Sequence, residues 1–265
     1  MFIIGMVNYK TSDLIETQFS IYRDFAGASY KIVLLDTSGY DEEYQALLNT
    51  SKCFNIPIQI FRYSPIRTDG SGAHGESLQH LYKLICESEP SAQYFLTQDP
   101  DFFWVKRNFL AHLEERLLQY EVVGAPYSIE KMKTLGSIRP DFPAAFGAVY
   151  KMSTLHSIGA DFQADGLDTV AKDVGWQIRN NFGSRTYFSF NQTKLLLAQT
   201  VGLVSRENIS CTYFDEDKVI AHHLYRCSMS KNPCSGSFKH PDRAEWQKNR
   251  KLMCEKFWKE INEHD

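Results

Sequence analysis

An α/β fold with a largely parallel sheet, covered on both faces, is what this sequence predicts. Three observations carry the prediction. Short apolar runs alternate with segments of helical period through the first half of the chain, the pattern of strands joined by crossover helices. Several of those runs stop at a polar residue, Asn8, Asp36 and Asp99 among them, as strands do when their carboxyl ends open on a ligand crevice. The chain of 265 residues shows no internal repeat and no low-complexity linker, which favours one domain.

The elements follow in order. Phe2-Ile3-Ile4-Gly5-Met6-Val7 reads as the first strand, because it lacks the basic flank and long apolar core of a signal peptide. Residues 11–25 place Leu14, Ile15, Phe19 and Tyr22 at helical spacing, with Ser12 or Asp13 positioned as a cap. Tyr30-Lys31-Ile32-Val33-Leu34-Leu35 is the second strand, and Asp36-Thr37-Ser38-Gly39 turns it into a helix over residues 41–48. Residues 56–63 form a third strand weakened by Pro57. Asp69-Gly70-Ser71-Gly72-Ala73-His74-Gly75 reads as a glycine-rich loop leading into a helix from Glu76 to about Cys86.

Tyr94-Phe95-Leu96 opens the next strand, and residues 109–119 return to helical spacing. The second half is less regular. Residues 121–125 and Phe146-Gly147-Ala148-Val149-Tyr150 are strand candidates, the latter with a glycine where something approaches closely. Residues 168–182 read as a helix ended by Gly183, and residues 186–190 alternate like a strand. The last helix, residues 242–265, carries Trp246, Met253, Phe257 and Ile261 on one stripe. The expected organisation is a domain over residues 1–241 with the helix 242–265 docked on it.

Bulk properties narrow the function. A net charge of -3 gives no electrostatic case for nucleic-acid binding, and no apolar run approaches membrane-spanning length. The 18 Phe, 14 Tyr and 4 Trp suit a thick core or a cleft with stacking surfaces. Cys53, Cys86, Cys211, Cys227, Cys234 and Cys254 contain no CxxC pair, so a reduced, cytoplasmic protein is expected, with a Cys227–Cys234 disulfide as the alternative. The sequons at Asn49, Asn191 and Asn208 are then chance matches.

Asp99-Pro100-Asp101 is the most informative stretch. Two carboxylates beside Phe95-Leu96 and Phe102-Phe103-Trp104 are costly unless neutralised. They can share a hard divalent cation, which in turn can bridge the phosphate oxygens of a ligand. The same triplet also makes an ordinary Asp-Pro turn. His222 and His223 follow an apolar run. An imidazole there could complete a site favouring Mn²⁺ over Mg²⁺, or simply bond to backbone.

Asp36 can accept from a ribose or nucleobase, or serve its own turn. Arg67, Asp69 and the glycine stretch offer a cation and backbone amides to anionic oxygens, or form a plain loop. Asp173, on the flank of a stripe made by Val170, Val174 and Ile178, can act as a base at a cleft, or face solvent. There is no G-x-S-x-G, no HExxH and no Cys/His grouping that would make a covalent nucleophile.

Five stretches in this order carry a further signal. They are Val7-Asn8-Tyr9-Lys10-Thr11, Leu34-Leu35-Asp36-Thr37-Ser38, Ala73-His74-Gly75-Glu76-Ser77-Leu78, Phe95-Leu96-Thr97-Gln98-Asp99-Pro100-Asp101-Phe102 and Lys172-Asp173-Val174-Gly175-Trp176-Gln177-Ile178-Arg179. Together they resemble the family 2-like glycosyltransferases of the GT-A fold, over residues 2–182 and more loosely at His222-His223. The resemblance implies a Rossmann-like, three-layer α/β architecture with a mixed, mostly parallel central sheet. It implies a nucleotide-diphospho-sugar donor held by Asn8 and Asp36, with Tyr9, Arg67, Asp69, His74 and Asp99 also on the donor side. Asp99 and Asp101 match the family's DxD, which holds Mn²⁺ or Mg²⁺, and His222 matches a late histidine that reaches metal or phosphate. Asp173 matches the aspartate that acts as base in an inverting displacement. Lys172 stands where the family usually has an acid, so Asp168 or Asp165 could hold the base role instead.

The expected activity is therefore transfer of a sugar, a hexose above all, from that donor to a hydroxyl of a glycan or other acceptor. A lipid-linked acceptor would bring the protein to a membrane surface. Two other readings stay open: a metal-dependent nucleotide hydrolase or nucleotidyltransferase using the same acids, and a non-catalytic sugar- or nucleotide-binding module on this fold.

Overall fold

The computed structural model describes residues 1–127, 139–165, 172–194 and 211–224, together with Leu252, Glu255 and Lys259. Its centre is β1 (Phe2–Asn8), buried at every position between the parallel strands β2 (Tyr30–Asp36) and β4 (Tyr94–Gln98). Phe2, Ile4 and Met6 of β1 join one core, and Ile3 and Val7 join another. That period of two is what a strand covered on both faces requires. Each such side chain, fully buried, contributes roughly 1.5–3 kcal/mol.

The sheet continues through β3 (Ile58–Arg62) on one edge and β7 (Gly147–Lys151), β6 (Val122–Gly124) and β8 (Tyr187–Ser189) on the other, in the order β3-β2-β1-β4-β7-β6-β8. Four of its six pairings are parallel, and β7 alone runs antiparallel to its neighbours. On one face lie α1 (Ser12–Phe25), α2 (Asp41–Lys52) and α4 (Phe109–Leu117). The other carries α3 (Gly70–Ser88), α5 (Met152–Ser157) and α6 (Trp176–Asn181). The result is the mixed, three-layer α/β architecture the sequence predicts.

A second, four-stranded sheet was not foreseen. It runs β5 (Phe102–Trp104), β11 (Lys218–His223), β10 (Cys211–Asp215) and β9 (Asn191–Lys194), in the order β5-β11-β10-β9, and packs into the same core as α1 and α4. The stretch from Tyr94 to Trp104 is therefore not one strand. β4 stays in the large sheet, β5 enters the small one, and Asp99-Pro100-Asp101 is the turn between them. Five aromatic residues serve this joint: Trp104, Tyr22, Tyr213, Phe102 and Phe109 are fully buried, and Trp104 stacks on Phe109.

Three local expectations need correction. Neither Ser12 nor Asp13 caps α1. Its Ser12 amide bonds instead to Glu43 Oε1 of α2 at 2.8 Å, a cap supplied by another helix. The glycine-rich stretch is not a loop, because α3 already starts at Gly70, with Asp69 accepting from the Gly72 amide at 2.9 Å. Two of its glycines serve close packing: a Cβ at Gly72 would lie 2.3 Å from Arg67 Nε, and one at Gly75 2.6 Å from the Ala164 amide nitrogen. Finally, of the helix expected over residues 168–182, residues 168–171 lie outside the described residues, and the described part is helical only over Trp176–Asn181, because Gly175 caps it at a left-handed φ of 75° that no ordinary helix turn contains. The expected helix over residues 242–265 lies outside the described residues, apart from the three named above. Among the described residues, no helix is long and apolar enough to cross a membrane.

Candidate functional site

The parallel register brings the ends of β1, β2 and β4 to one edge, with Asn8 beside Asp36 and Met6 beside Gln98. The Asp99 amide then bonds Phe146 O at 2.9 Å, and the Phe102 amide bonds Asp99 O at 3.0 Å, closing a tight turn around Pro100. The Leu224 amide donates to Asp101 O at 3.0 Å, which seats the end of β11 against the turn. Gly147 lets this happen, since a Cβ there would sit 2.6 Å from the Phe102 ring.

On this turn Asp99, Asp101 and His223 each offer one ligand atom, and the three atoms lie within 4.8 Å of one another. His223 Nε2 is 3.3 Å from Asp101 Oδ1, and His74 Nε2 of α3 is 3.4 Å from Asp99 Oδ1. The Asp101 side chain is 9% exposed and that of Asp99 25%, so the group is recessed yet reachable. Burial raises the Asp99 pKa above the ordinary carboxylate value; His74 and His223 pull it back, while the negative Asp101 and Asp173 push it further. Two oxygens and an imidazole nitrogen gathered around excess negative charge fit a divalent cation of the Mn²⁺ type.

The histidine in this group is His223, not the expected His222. β11 alternates its faces, pairing His223 with Phe102 and His222 with Phe103. His222 is buried on the opposite side, its Nδ1 2.9 Å from Thr212 Oγ1.

Asp173 sits on the turn ahead of α6, not on a helix flank. Its Oδ2 accepts from the Tyr127 hydroxyl at 3.1 Å and its Oδ1 from the Val174 amide at 2.9 Å. It lines a small recess with Tyr127, Ala144, Trp176 and Arg179, and the Trp176 indole N–H is buried there without a hydrogen-bond partner. Burial lowers the Arg179 pKa, with Tyr127 and Asp173 opposing that shift. Asp165 pairs instead with Lys172 at 2.8 Å, and Asp168 lies outside the described residues.

At the β1–β2 end, the expected contact residues Asn8 and Asp36 turn inward. Asn8 Nδ2 donates to Asp36 Oδ1 at 3.0 Å, and Asn8 Oδ1 accepts from the Thr11 hydroxyl at 2.7 Å. Asp36 also accepts from the Ser38 amide and hydroxyl. Both residues are fully buried, so they brace the two loops and leave the surface to others. That surface is Tyr9 and Tyr40, with Lys10 Nζ 4.9 Å and 4.3 Å from their ring centres. Lys10 holds a positive φ of 59° to reach between them. Arg67 and Asp69 pair with each other at 3.2 Å, and Arg67 Nη1 donates to Ala164 O at 2.6 Å. Together these bonds pin the loop before α3.

Of the residues singled out in the sequence, the structure gathers Asp99, Asp101 and His74 with His223 of the His222-His223 pair, and sets Asp173 beside Tyr127; Tyr40 and Tyr127 were not singled out. The signal for His223 was present in the His222-His223 pair. Tyr40 and Tyr127 carry none beyond their residue type.

No protein-family model matches the chain, and no curated protein sequence matches it. Solved structures do. The mannosyltransferase PcManGT from Pyrobaculum calidifontis, described in complex with GDP-Man and Mn2+, aligns over 71% of this chain and 54% of its own at 15% identity, TM-score 0.50. S. aureus TarS aligns over 71% of this chain and 35% of its own at 15% identity, TM-score 0.46. A TarS 1-349 complex with UDP-GlcNAc covers 71% and 56% at 13% identity, TM-score 0.44. The chain spans about half the length of the PcManGT structure it matches. What the PcManGT alignment establishes is the fold: a mixed α/β architecture around a mostly parallel central sheet, shared with a mannosyltransferase.

Proposed function

We propose that this protein transfers a sugar from a nucleotide-diphosphate donor to a hydroxyl acceptor. The observation that carries the reading is the Asp99–Asp101–His223 group at the carboxyl end of β4, with Asp173 close enough to raise the Asp99 pKa. The shared fold with a mannosyltransferase described with GDP-Man and Mn2+ supports it.

Asp99, Asp101 and His223 would hold the cation, Mn²⁺ or Mg²⁺, which when bound supplies charge neutralisation to a departing nucleoside diphosphate. His74, beside Asp99, adds a hydrogen bond or positive charge on the same side. Tyr9 and Tyr40 offer ring faces to the nucleobase, and Lys10 between them favours an anionic ligand. Asp173 is the base that removes the acceptor's proton at attack. The Tyr127 hydroxyl and the Val174 amide orient its two oxygens. The base facing the sugar from a separate turn suits single displacement with inversion, with a hexose as the transferred group. The acceptor is a glycan or other hydroxyl compound, and a lipid-linked one would bring the protein to a membrane surface. The cysteine spacing, with no CxxC pair, is the ground for placing this work in the cytoplasm.

A melting screen with UDP-, GDP- and dTDP-sugars, with and without Mn²⁺, tests the reading. One donor should raise the melting temperature only with Mn²⁺, and Asp101→Asn should abolish the rise. Asp173→Asn should keep the rise and lose about 10²–10⁴-fold in transfer rate. No rise with any donor, from a folded protein, contradicts the proposal.

A further inference from the structure

Beneath the Asp99-Pro100-Asp101 turn, on the side away from the cleft, two glutamines are buried completely or nearly so. Gln18 of α1 has no solvent exposure and Gln98 of β4 has 2%. The inner face of α1 is otherwise apolar, built from Leu14, Ile15, Phe19 and Ile21 with the phenol of Tyr22. A fully buried amide at that position is costly unless each of its polar atoms is used.

Each of them is used. Gln18 Nε2 donates one hydrogen to Pro100 O at 3.0 Å and the other to Phe102 O at 2.6 Å. Gln98 Nε2 donates to Gln18 Oε1 at 2.6 Å and to Phe102 O at 2.8 Å. Gln98 Oε1 in turn accepts from the Tyr22 hydroxyl at 2.5 Å and from Trp104 Nε1 at 2.9 Å. The two amides have no unspent donor, and no apolar residue could replace either without orphaning a buried carbonyl.

The bond to Pro100 O has the greatest consequence. That carbonyl belongs to the peptide joining Pro100 to Asp101, the link between the two acids. The other peptide groups of the turn are fixed by backbone bonds: Asp99 N to Phe146 O, Asp99 O from Phe102 N, and Asp101 O from Leu224 N. Rotation of the Pro100–Asp101 peptide would swing Asp101 relative to Asp99. Gln18 removes it from below, and Gln98 holds Gln18 in the one orientation that presents both hydrogens upward.

We propose that Gln18, oriented by Gln98, is a positioning residue for the Asp99–Asp101 pair, setting the carboxylate spacing that a divalent cation requires. The inference rests on the metal-site reading above. It assigns a part of that site's affinity to a helix that contributes no ligand.

The test is binding of Mn²⁺ alone, read by loss of the free-ion paramagnetic resonance signal on titration with the protein, with no donor present. Gln18→Met keeps the side-chain volume and removes both donors. Tyr22→Phe removes a hydroxyl from the same buried network without touching the turn. Gln18→Met should weaken Mn²⁺ binding by about 10–100-fold, the usual cost of losing a group that orients a metal ligand. Tyr22→Phe should leave Mn²⁺ binding close to that of the unaltered protein. If Gln18→Met does not fold, Gln18→Asn, which keeps the amide but falls one methylene short, is read in its place with the same expectation.

Equal affinity in the Gln18 variant and the unaltered protein overturns the positioning role and leaves the metal site standing. Equal losses in Gln18→Met and Tyr22→Phe also overturn it, since affinity then follows general stability. If the unaltered protein binds no Mn²⁺, the metal-site reading itself fails and takes the proposal with it.

Discussion

Asp99 lies where a carboxylate is least comfortable, its charge opposed by burial and by two further acids, Asp101 and Asp173. A raised Asp99 pKa is the direct expression of that crowding, and a cation is the simplest relief. The sequence showed this much, because Asp99-Pro100-Asp101 interrupts an otherwise apolar stretch. It could not show which histidine joins the acids. That choice depends on the register of β11 against β5, strands whose paired residues Phe102 and His223 lie far apart in the chain. The parity of the strand then decides everything, since one step sends the imidazole to the other face. His223→Ala should therefore weaken Mn²⁺ binding about 10-fold or more. His222→Ala should leave binding unchanged and lower stability only, through loss of the Thr212 contact. Titration with Mn²⁺, alongside thermal melting of both variants, separates the two effects.

Single elements carry a different lesson. Helix α3 looked like the product of a loop because three glycines precede its apolar stripe. Glycine's low helix propensity is real, but here tertiary packing overrides it, since the Arg67–Asp69 pair and residues 162–164 press against Gly72 and Gly75. Glu76, within the same helix, secures the approaching loop: its carboxylate accepts the Ile66 and Arg67 amides at 2.9 Å and the Tyr63 hydroxyl at 2.7 Å. Partial burial opposes its charge, yet those bonds outweigh burial and hold the Glu76 pKa below its ordinary value. The same contact pushes the Tyr63 phenol up to about 12. A depressed folded-state pKa stabilises the fold above the ordinary carboxylate range, and that contribution is lost as pH falls through the folded value. Glu76→Gln should thus cost about 1–2 kcal/mol at neutral pH, discounted for the group's partial exposure. The difference in stability from the unaltered protein should narrow towards zero in acid. Denaturant unfolding of both proteins across pH 3–7 (about the span in which carboxylates titrate) checks the sign; a gap that widens in acid contradicts it.

At the scale of the whole molecule, the alternating half of the chain was legible and the second sheet was not. β1, β2 and β4 announce themselves as apolar runs because both faces of each are buried. β5, β9, β10 and β11 are three to six residues long, too short to show a period, and β5 joins the other three only through β11, more than a hundred residues away. Yet the site exists only because of them. The large sheet supplies Asp99 at the end of β4, the small sheet supplies His223 at the end of β11, and the turn between the sheets supplies Asp101. The glutamine network under that turn lies where the two sheets and α1 meet. This junction is the centre of the functional account, and it can be observed directly. Crystals of the protein soaked with Mn²⁺ and a nucleoside diphosphate, measured at the manganese absorption edge, locate the ion by its anomalous signal. The account predicts one strong peak ligated by Asp99, Asp101 and His223, with the diphosphate oxygens on its open side. A peak held by other residues, or a nucleotide bound away from this turn, would contradict it.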